Sequence, residues 1–190
     1  SSGLNGRPTV DFSNTPTSGM SYLNLPVGNL IGNSNQSLTM FFVSEYKSGT
    51  AADYQFLLEV LGADSFIWFS APISSTTAEF NYGSLLANPV QAEIPDILNS
   101  AKIFTVIKEQ SPNKVTIREN GNTVAIGSLS GIIDSTANGN INIGYTAGTA
   151  PKSDMGSAVS EVVIIPSLLN LSNVESVETF LGLKYGIPVA

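Results

Sequence analysis

The chain has 190 residues, of which 42% are hydrophobic and only 12% are charged, and its formal net charge is −7. So many apolar residues argue against disorder, while the acidic balance argues against nucleic-acid binding and adsorption to anionic lipid, which need a basic surface. The chain has no cysteine and no histidine. Disulfides, thiol catalysis and a Ser-His-Asp triad are therefore excluded.

Short segments with strand-like patterns occur along the whole chain, each bounded by Gly, Pro, Asn, Asp or Ser. The predicted strands are residues 9–12, 21–25, 37–43, 54–60, 65–69, 78–82, 102–108, 114–119, 123–126, 140–145 and 158–165. Such a series is typical of an antiparallel β-sandwich. No βαβ rhythm, repeat or interdomain linker interrupts it, so the sequence predicts one domain over residues 1–190. No apolar run approaches the roughly 20 residues of a membrane span, which predicts no membrane insertion.

The clearest local prediction is a β-hairpin at Asn120-Gly121, between the strands at 114–119 and 123–126. Asn and Gly readily take the positive φ angles that a type I′ turn requires at both central positions. The two strands are therefore expected to be antiparallel neighbours in one sheet.

The last thirty residues predict a strand followed by one amphipathic helix. Ser172 and Glu175 have the spacing of a capping box, which predicts that Ser172 caps the helix. Val174, Val177 and Leu181 then recur at helical spacing and predict one apolar stripe that packs on a sheet.

The end of this helix is also predicted from its residues. Gly186 suits the left-handed conformation that often follows a helix, and Pro188 prevents the helix from continuing. Tyr185 is expected to fix the helix end to the sheet. The strand at 158–165 is expected to pair with the N-terminal strand near Val10.

Six segments of the sequence resemble segments of one known protein family. They are Asn-Gly-Arg-Pro-Thr-Val-Asp-Phe-Ser at 5–13, Ser-Leu-Thr-Met-Phe-Phe-Val at 37–43, Val-Thr-Ile-Arg-Glu-Asn-Gly at 115–121, Asn-Ile-Asn-Ile-Gly-Tyr at 140–145, Ser-Glu-Val-Val-Ile-Ile at 160–165 and Leu-x-x-Lys-Tyr-Gly-Ile at 181–187. The chain resembles concanavalin A-like lectin/glucanase (laminin G-like) domains of bacterial surface and phage proteins. The resemblance implies an all-β fold, namely a two-sheet antiparallel jelly-roll sandwich with one concave face and one short C-terminal α-helix.

The resemblance implies a non-catalytic recognition or adhesion module. Such a module binds glycan or another surface ligand, including a protein surface, as part of a larger extracellular, cell-surface or virion protein. The alternative is a structural module of a homo- or hetero-oligomeric assembly, such as a phage appendage, a capsid decoration or a bacterial surface filament. Few charges suit such interfaces, because burying imperfectly paired ions is costly. The sequence does not separate the two, since one domain can serve both.

Catalytic residues are not predicted. The glucanase branch of the family carries a Glu-x-Asp-x-x-Glu constellation on one strand, and this spacing is absent here. Glycoside hydrolysis needs two carboxyl groups held roughly 5–9.5 Å apart. Glu59, Glu79 and the other strand glutamates each stand alone on their strands. A hydrolase or lyase therefore requires two strands to bring two carboxylates together, and it remains the less favoured alternative.

Three aromatic residues, Trp68, Tyr82 and Tyr145, are the candidate ligand-binding residues. An aromatic ring exposed in a groove offers a large apolar area that can stack on a sugar. Strand alternation places Phe66 and Trp68 on one face of their strand and Ile67 and Phe69 on the other. The alternative interpretation is that these large rings belong to the core, where such side chains are mostly buried.

Calcium is the metal that the composition favours, because hard-cation sites need only carboxylate, amide and carbonyl oxygens. The candidate ligands are Asp134, Asn138 and Asn140 in one loop, with Asp154 as a fourth. The spacing differs from that of an EF-hand. The alternative is that these side chains bond the backbone of their own turns, as Asx residues commonly do.

Overall fold

Twelve strands and one α-helix lie in the part of the chain that the computed structural model describes. The described residues are 4–11, 23–25, 36–46, 56–61, 66–71, 76–83, 89–95, 100–111, 113–129, 141–143 and 157–190. The strands are β1 (Val10–Asp11), β2 (Leu23–Leu25), β3 (Leu38–Tyr46), β4 (Phe56–Leu61), β5 (Phe66–Ser70), β6 (Thr77–Gly83), β7 (Val90–Glu93), β8 (Ala101–Lys108), β9 (Lys114–Glu119), β10 (Asn122–Ser128), β11 (Ile141–Ile143) and β12 (Ser157–Ile165). Helix α1 is Leu171–Tyr185. Every strand except β7 overlaps a predicted strand.

The strands form two six-stranded sheets in which neighbours are antiparallel. The first sheet has the order β1-β12-β3-β8-β9-β10, and the second has the order β2-β11-β4-β5-β6-β7. Consecutive strands cross repeatedly between the sheets, as in a jelly roll. In the first sheet Val10 pairs with Val159, which confirms the expected pairing of the closing strand with the N-terminal strand. The predicted two-sheet antiparallel sandwich with a C-terminal helix is confirmed.

The core between the sheets is built from alternate residues of the facing strands. Phe42 stacks on Phe69 with ring centroids 4.9 Å apart, and Phe104 meets Phe69 edge-on at 5.6 Å. Met40 and Phe80 are buried beside them in the same core. Burying each such side chain stabilises the fold by about 1.5–3 kcal/mol, so this core holds the two sheets face to face.

Helix α1 covers the other face of the first sheet. Phe41 and Val43 of β3 form a second apolar cluster there with Val174 and Leu181 of the helix, all of them buried, while Val177 is partly buried against it. The predicted apolar stripe is therefore confirmed. The described residues form three layers in the order helix, first sheet and second sheet.

A buried ion pair joins helix α1 to the first sheet. Arg118 donates through Nε to Oε1 and through Nη2 to Oε2 of Glu178, both at 2.9 Å, and the Thr105 hydroxyl donates to Oε1 at 2.7 Å. Arg118 also donates to the carbonyl oxygen of Gly121. Hydrogen bonding to Glu178 raises the pKa of the Arg118 guanidinium, so Arg118 remains protonated in the ion pair. Bidentate pairs of this kind fix geometry as well as charge.

Glu178→Ala should lower the free energy of unfolding by about 3–5 kcal/mol, because it leaves the Arg118 charge buried without its partner. Glu175→Ala is the matched control, since Glu175 is exposed on the same helix, and it should change stability by less than about 0.5 kcal/mol. Urea denaturation followed by circular dichroism measures both. Equal effects of the two substitutions would contradict the assigned role of the ion pair.

Helix α1 begins at Leu171, and its N-cap is Asn170, so the predicted capping box at Ser172 is wrong. Asn170 Oδ1 accepts hydrogen bonds from the backbone N–H of Asn173 and from the Ser172 hydroxyl, both at 2.9 Å. Asn and Ser are nearly equivalent as caps. The physical reason for the earlier start is that Asn170 keeps an extended backbone, which lets its side chain reach the first free N–H groups.

Asn170→Ala should therefore lower the free energy of unfolding by about 1 kcal/mol, the usual effect of losing an N-cap. Ser172→Ala removes only a hydroxyl within the first turn and should have a smaller effect. The two variants are compared by urea denaturation at one pH. A larger loss for Ser172→Ala than for Asn170→Ala would contradict the assigned cap.

The end of helix α1 agrees with the sequence prediction. Gly186 takes the left-handed conformation with φ 69°, and its N–H donates to the Gly182 carbonyl. Tyr185 is buried, and its hydroxyl donates to Glu161 Oε2 at 2.9 Å, which fixes the helix end to β12 as expected.

The β9–β10 hairpin also agrees with prediction, because Asn120 and Gly121 have φ angles of 47° and 87°. Its turn is held by the last residues described, since the Ala190 N–H donates to the Asn120 carbonyl at 3.0 Å. A Cβ on Gly121 would lie 2.8 Å from the Val189 side chain. Glycine is thus needed here both for its φ angle and for this close approach.

Strand β7 was not predicted, although its pattern is visible in the sequence. Val90, Ala92 and Ile94 are buried at alternate positions. Pro89 and Pro95 flank this run and give the segment the appearance of a loop. Because β7 is an edge strand of the second sheet, its ends tolerate prolines that would break a central strand.

Lys108 occupies a core-facing position of β8. It pairs with Leu38 on β3 and with Val115 on β9, both in the core between the sheets, and it is 1% exposed. Its ammonium donates to the Gln36 carbonyl at 2.9 Å. Burial lowers the pKa of Lys108 from 10.5 to about 8, because the apolar surroundings disfavour the charged form.

The unfolded chain therefore binds more protons at Lys108 than the folded chain between about pH 8 and 10.5. The contribution of Lys108 to the free energy of unfolding should rise with pH across this window. Lys108→Met removes the titrating group, so the rise should be smaller in the variant than in the wild type. Lys114→Met, at a partly exposed lysine, should leave the rise unchanged. Urea denaturation at a series of pH values tests this, and equal slopes in all three proteins would contradict it.

Candidate ligand-binding face

The second sheet has one face in the core and an opposite face, here called the outer face. Phe69 of β5 and Phe80 of β6 are buried in the core. Trp68 and Asn81 are their neighbours in the same strands, so strand alternation assigns both to the outer face. Helix α1 packs on the first sheet, so the outer face is the sheet surface that this helix leaves uncovered.

A single row of paired residues crosses five strands on the outer face. Asn24 pairs with Asn142, Asn142 with Glu59, Glu59 with Trp68, and Trp68 with Asn81. Directly paired residues have Cβ atoms about 4.5–5.5 Å apart, so the row is about 19 Å long at the usual strand spacing. Asn142 is only 6% exposed although it lies opposite to the core; for the other four residues, the structure describes backbone and register only.

Beside this row, two carboxylates of the outer face are held by neighbouring side chains. Gln91 Nε2 donates to Glu79 Oε2 at 2.7 Å, and Glu79 is 4% exposed. The hydroxyls of Thr76 and Thr77 donate to the two oxygens of Glu93 at 3.1 and 3.2 Å. These contacts orient acceptor groups in advance, which reduces the entropy lost when a ligand binds.

The strands of the two sheets differ in the charged residues that they contain. The six described strands of the second sheet contain three glutamates and neither lysine nor arginine. The basic residues within the described ranges lie before β1, on the first sheet or on helix α1, and they are Arg7, Lys102, Lys108, Lys114, Arg118 and Lys184. Lys47 and Lys152 lie outside the described residues. Within the described strands, the outer face therefore carries glutamates and no basic residue.

The arrangement suits hydrogen bonding to a polar ligand more than covalent chemistry. Asparagine side chains both donate and accept, carboxylates accept, and an indole offers an apolar face and one donor. Glu59 and Glu79 share the outer face, but β5 lies between their strands. Strand geometry places their Cα atoms about 12 Å apart.

The register places Trp68 and Tyr82, the two candidate aromatic residues on described strands, in different rows of the second sheet. Trp68 lies in the row described above, with its side chain outside the described part of the structure. Tyr82 pairs with Ile67 and so occupies the adjacent row, which belongs to the opposite face. The side chain of Tyr82 lies outside the described part of the structure, and so does the whole of Tyr145.

The proposed calcium ligands Asp134, Asn138, Asn140 and Asp154 all lie outside the described residues, so that site stays a prediction. Within the ranges that are described, no cluster of three or more metal-binding side chains occurs. A search of the same ranges finds no helix with the length and apolar character that a membrane crossing requires.

Sequence patterns alone do not single out Asn24, Asn81 and Asn142, and they leave Glu59 as an isolated carboxylate. A signal is nevertheless present, since each of these residues is the polar centre of an apolar triplet. The triplets are Leu-Asn-Leu at 23–25, Leu-Glu-Val at 58–60, Phe-Asn-Tyr at 80–82 and Ile-Asn-Ile at 141–143. Such triplets mark strands with one face in a core and one face elsewhere.

No protein-family model matches the chain, and no curated protein sequence matches it. Solved structures do resemble it. The binding domain of botulinum neurotoxin serotype G aligns with a TM-score of 0.68 at 13% identity, covering 87% of this chain and 41% of that chain. The binding domain of Paraclostridial mosquitocidal protein 1 aligns with a TM-score of 0.68 at 12% identity, covering 94% and 47%.

A third structure is the CBM40 of the Ruminococcus gnavus IT-sialidase, bound to α2,3-sialyllactose. It aligns with a TM-score of 0.59 at 10% identity, covering 76% of this chain and 84% of that chain. The chain spans less than half the length of the two toxin chains. At these identities the likeness establishes the fold alone, a β-sandwich of two sheets.

Proposed function

We propose that this chain is a non-catalytic recognition module of the concanavalin A-like, laminin G-like type, and that it binds glycan on the outer face of the second sheet. The observation that carries the proposal is the cross-strand row Asn24–Asn142–Glu59–Trp68–Asn81. It combines one aromatic position with polar positions on both sides. This is the composition that suits a sugar, which has an apolar ring face and a rim of hydroxyl groups.

The described contacts support a site whose side chains are held in place by hydrogen bonds before a ligand binds. Glu79 and Glu93 are already hydrogen-bonded to neighbouring side chains. The buried Asn142 lies in the middle strands of the same face. Glu79 and Asn142 are buried and so act as fixed support, whereas the exposed Glu93 is ordered before a ligand arrives, so a hydrogen bond from a sugar hydroxyl to it costs less conformational entropy.

The comparisons support the proposal through the kinds of protein that share the fold. Two are binding domains of toxins, and one is the CBM40 bound to α2,3-sialyllactose. We extend binding, and with it an extracellular, cell-surface or virion location, to this chain as part of the proposal. Residues 1–190 would form one domain of a larger protein.

Trp68→Ala should weaken retention on soluble polysaccharides by about 30-fold or more, since an aromatic anchor at the centre of a binding surface typically contributes about 2 kcal/mol. The measurement is affinity electrophoresis in gels that contain one polysaccharide each, from a broad panel. Phe180→Ala is the matched control, because Phe180 is an exposed aromatic on helix α1, on the far side of the first sheet.

The wild type and Phe180→Ala should be retarded equally by at least one polysaccharide, with no release of reducing ends on prolonged incubation. Retardation by none of the panel, or equal retardation of Trp68→Ala, would contradict the proposal. Thermal unfolding of each variant confirms that it remains folded.

A structural role in an assembly is the second candidate, and it is favoured by one observation. Phe180 and Leu183 of helix α1 are 60% and 79% exposed, and exposed large apolar side chains close together often mark protein contacts. Light scattering across a concentration series distinguishes the candidates. Association that Phe180→Ala abolishes would favour an assembly role for the helix, independently of glycan binding by the opposite side.

A further inference from the structure

We propose that Asn5-Gly6 is a modification site, at which water converts Asn5 to aspartate or isoaspartate and so loosens the N-terminal segment, residues 4–11, from helix α1. The proposal is independent of glycan binding, because it concerns the end of the helix and not the outer face. It is carried by the contacts of Asn5, compared with those of a second Asn-Gly pair, Asn120-Gly121.

The chemistry is intrinsic to an asparagine that precedes glycine. The backbone nitrogen of Gly6 loses its proton and attacks Cγ of Asn5, and the Cγ–Nδ2 bond breaks to release ammonia. The product is a five-membered succinimide ring. Water opens the ring at Cγ to give aspartate, or at the main-chain carbonyl carbon to give isoaspartate. The ring has room to form, since the position of a Cβ on Gly6 has no heavy atom within 4 Å outside the adjoining residues.

The segment that carries Asn5 is held by few contacts. Residues 4–6 include no buried residue, and Leu4 is only partly buried against the apolar cluster of helix α1. Asn5 is exposed, and its side chain donates one described hydrogen bond, from Nδ2 to the Lys184 carbonyl oxygen at 3.2 Å. Segments of this kind open at little cost in free energy. Opening frees the Gly6 nitrogen to approach Cγ of Asn5.

The second Asn-Gly pair is held on both sides. Asn120 Oδ1 accepts a hydrogen bond from the Ile103 N–H at 2.8 Å, and the Asn120 N–H donates to the Ile103 carbonyl at 2.9 Å. The Val189 side chain lies 2.8 Å from the position of a Cβ on Gly121. Because the ring can form here only if these contacts break, Asn120 should be protected in the folded chain. A third pair, Asn138-Gly139, lies outside the described residues.

Conversion removes a donor from the end of helix α1. The last carbonyl groups of a helix have no partner within the helix, and Asn5 Nδ2 supplies one for Lys184. A carboxylate only accepts hydrogen bonds, so neither product replaces this one. Negative charge near a helix C-terminus is also unfavourable. Isoaspartate in addition lengthens the main chain where Asn5 and Gly6 have φ angles of 49° and 70°. Residues 4–11 should therefore separate from the helix more often.

The first test measures conversion in the intact chain. The folded protein is incubated at mildly alkaline pH, and peptic peptides with one Asn-Gly pair each are compared by mass spectrometry with synthetic peptides that carry Asn, Asp or isoAsp. Asn5 should convert at least about tenfold faster than Asn120, since local opening governs both rates. In guanidinium chloride the two should convert at similar rates. At mildly acidic pH both should slow, because the glycine nitrogen keeps its proton.

Two results would overturn the modification site. One is conversion of Asn120 as fast as that of Asn5 in the folded chain. The other is an Asn5 that stays unmodified in the folded chain but converts in guanidinium chloride.

The second test measures the structural effect by hydrogen exchange and mass spectrometry. Asn5→Asp reproduces one product and should raise the exchange rate of the amides in residues 4–11 about threefold or more. Gln110→Glu is the matched control, because it adds the same charge at an exposed side chain, and it should leave this exchange unchanged. Equal exchange in Asn5→Asp and the wild type, or an equal rise in both variants, would overturn the loosening of the segment.

Discussion

The ion pair between Arg118 and Glu178 determines how helix α1 lies on the first sheet. It fixes helix α1 to the first sheet through two hydrogen bonds of 2.9 Å, with Thr105 completing the carboxylate's partners. A buried pair of this kind contributes more to a unique geometry than to net stability, because desolvation offsets much of its attraction. Because helix α1 packs on the first sheet, it does not cover the outer face of the second sheet.

The same arrangement explains how charge is distributed. Lys184 pairs with Glu161 at 2.8 Å, and Lys102 pairs with Glu119 at 2.6 Å, both on the side of the first sheet. The first pair joins helix α1 to β12, and the second joins β8 to β9. The described strands of the second sheet contain three glutamates and neither lysine nor arginine, so ion pairs like these do not occur between them.

Local patterns in the sequence predict much of the fold, and they fail where the outcome depends on distant residues. The hairpin at Asn120-Gly121 and the helix end at Gly186 are local and agree with the structure. The cap is local too, but Asn170 and Ser172 are close competitors, and the choice depends on the backbone that enters the helix. Glu178 illustrates the other limit. It lies in the buried stripe between Val174 and Leu181, and only the presence of Arg118 on a strand 60 residues away makes that position tolerable.

The candidate site was less predictable than the fold, because its residues come together only through register. Asn24 and Asn142 are neighbours across β2 and β11, yet neither flanking sequence specifies the other. In each triplet, strand alternation assigns the two apolar positions to the core face and the central position to the outer face. Substitution of the central residue therefore changes the outer face and leaves the packing between the sheets intact. Such a separation is consistent with structures that are only 10–13% identical to this chain and share its sandwich.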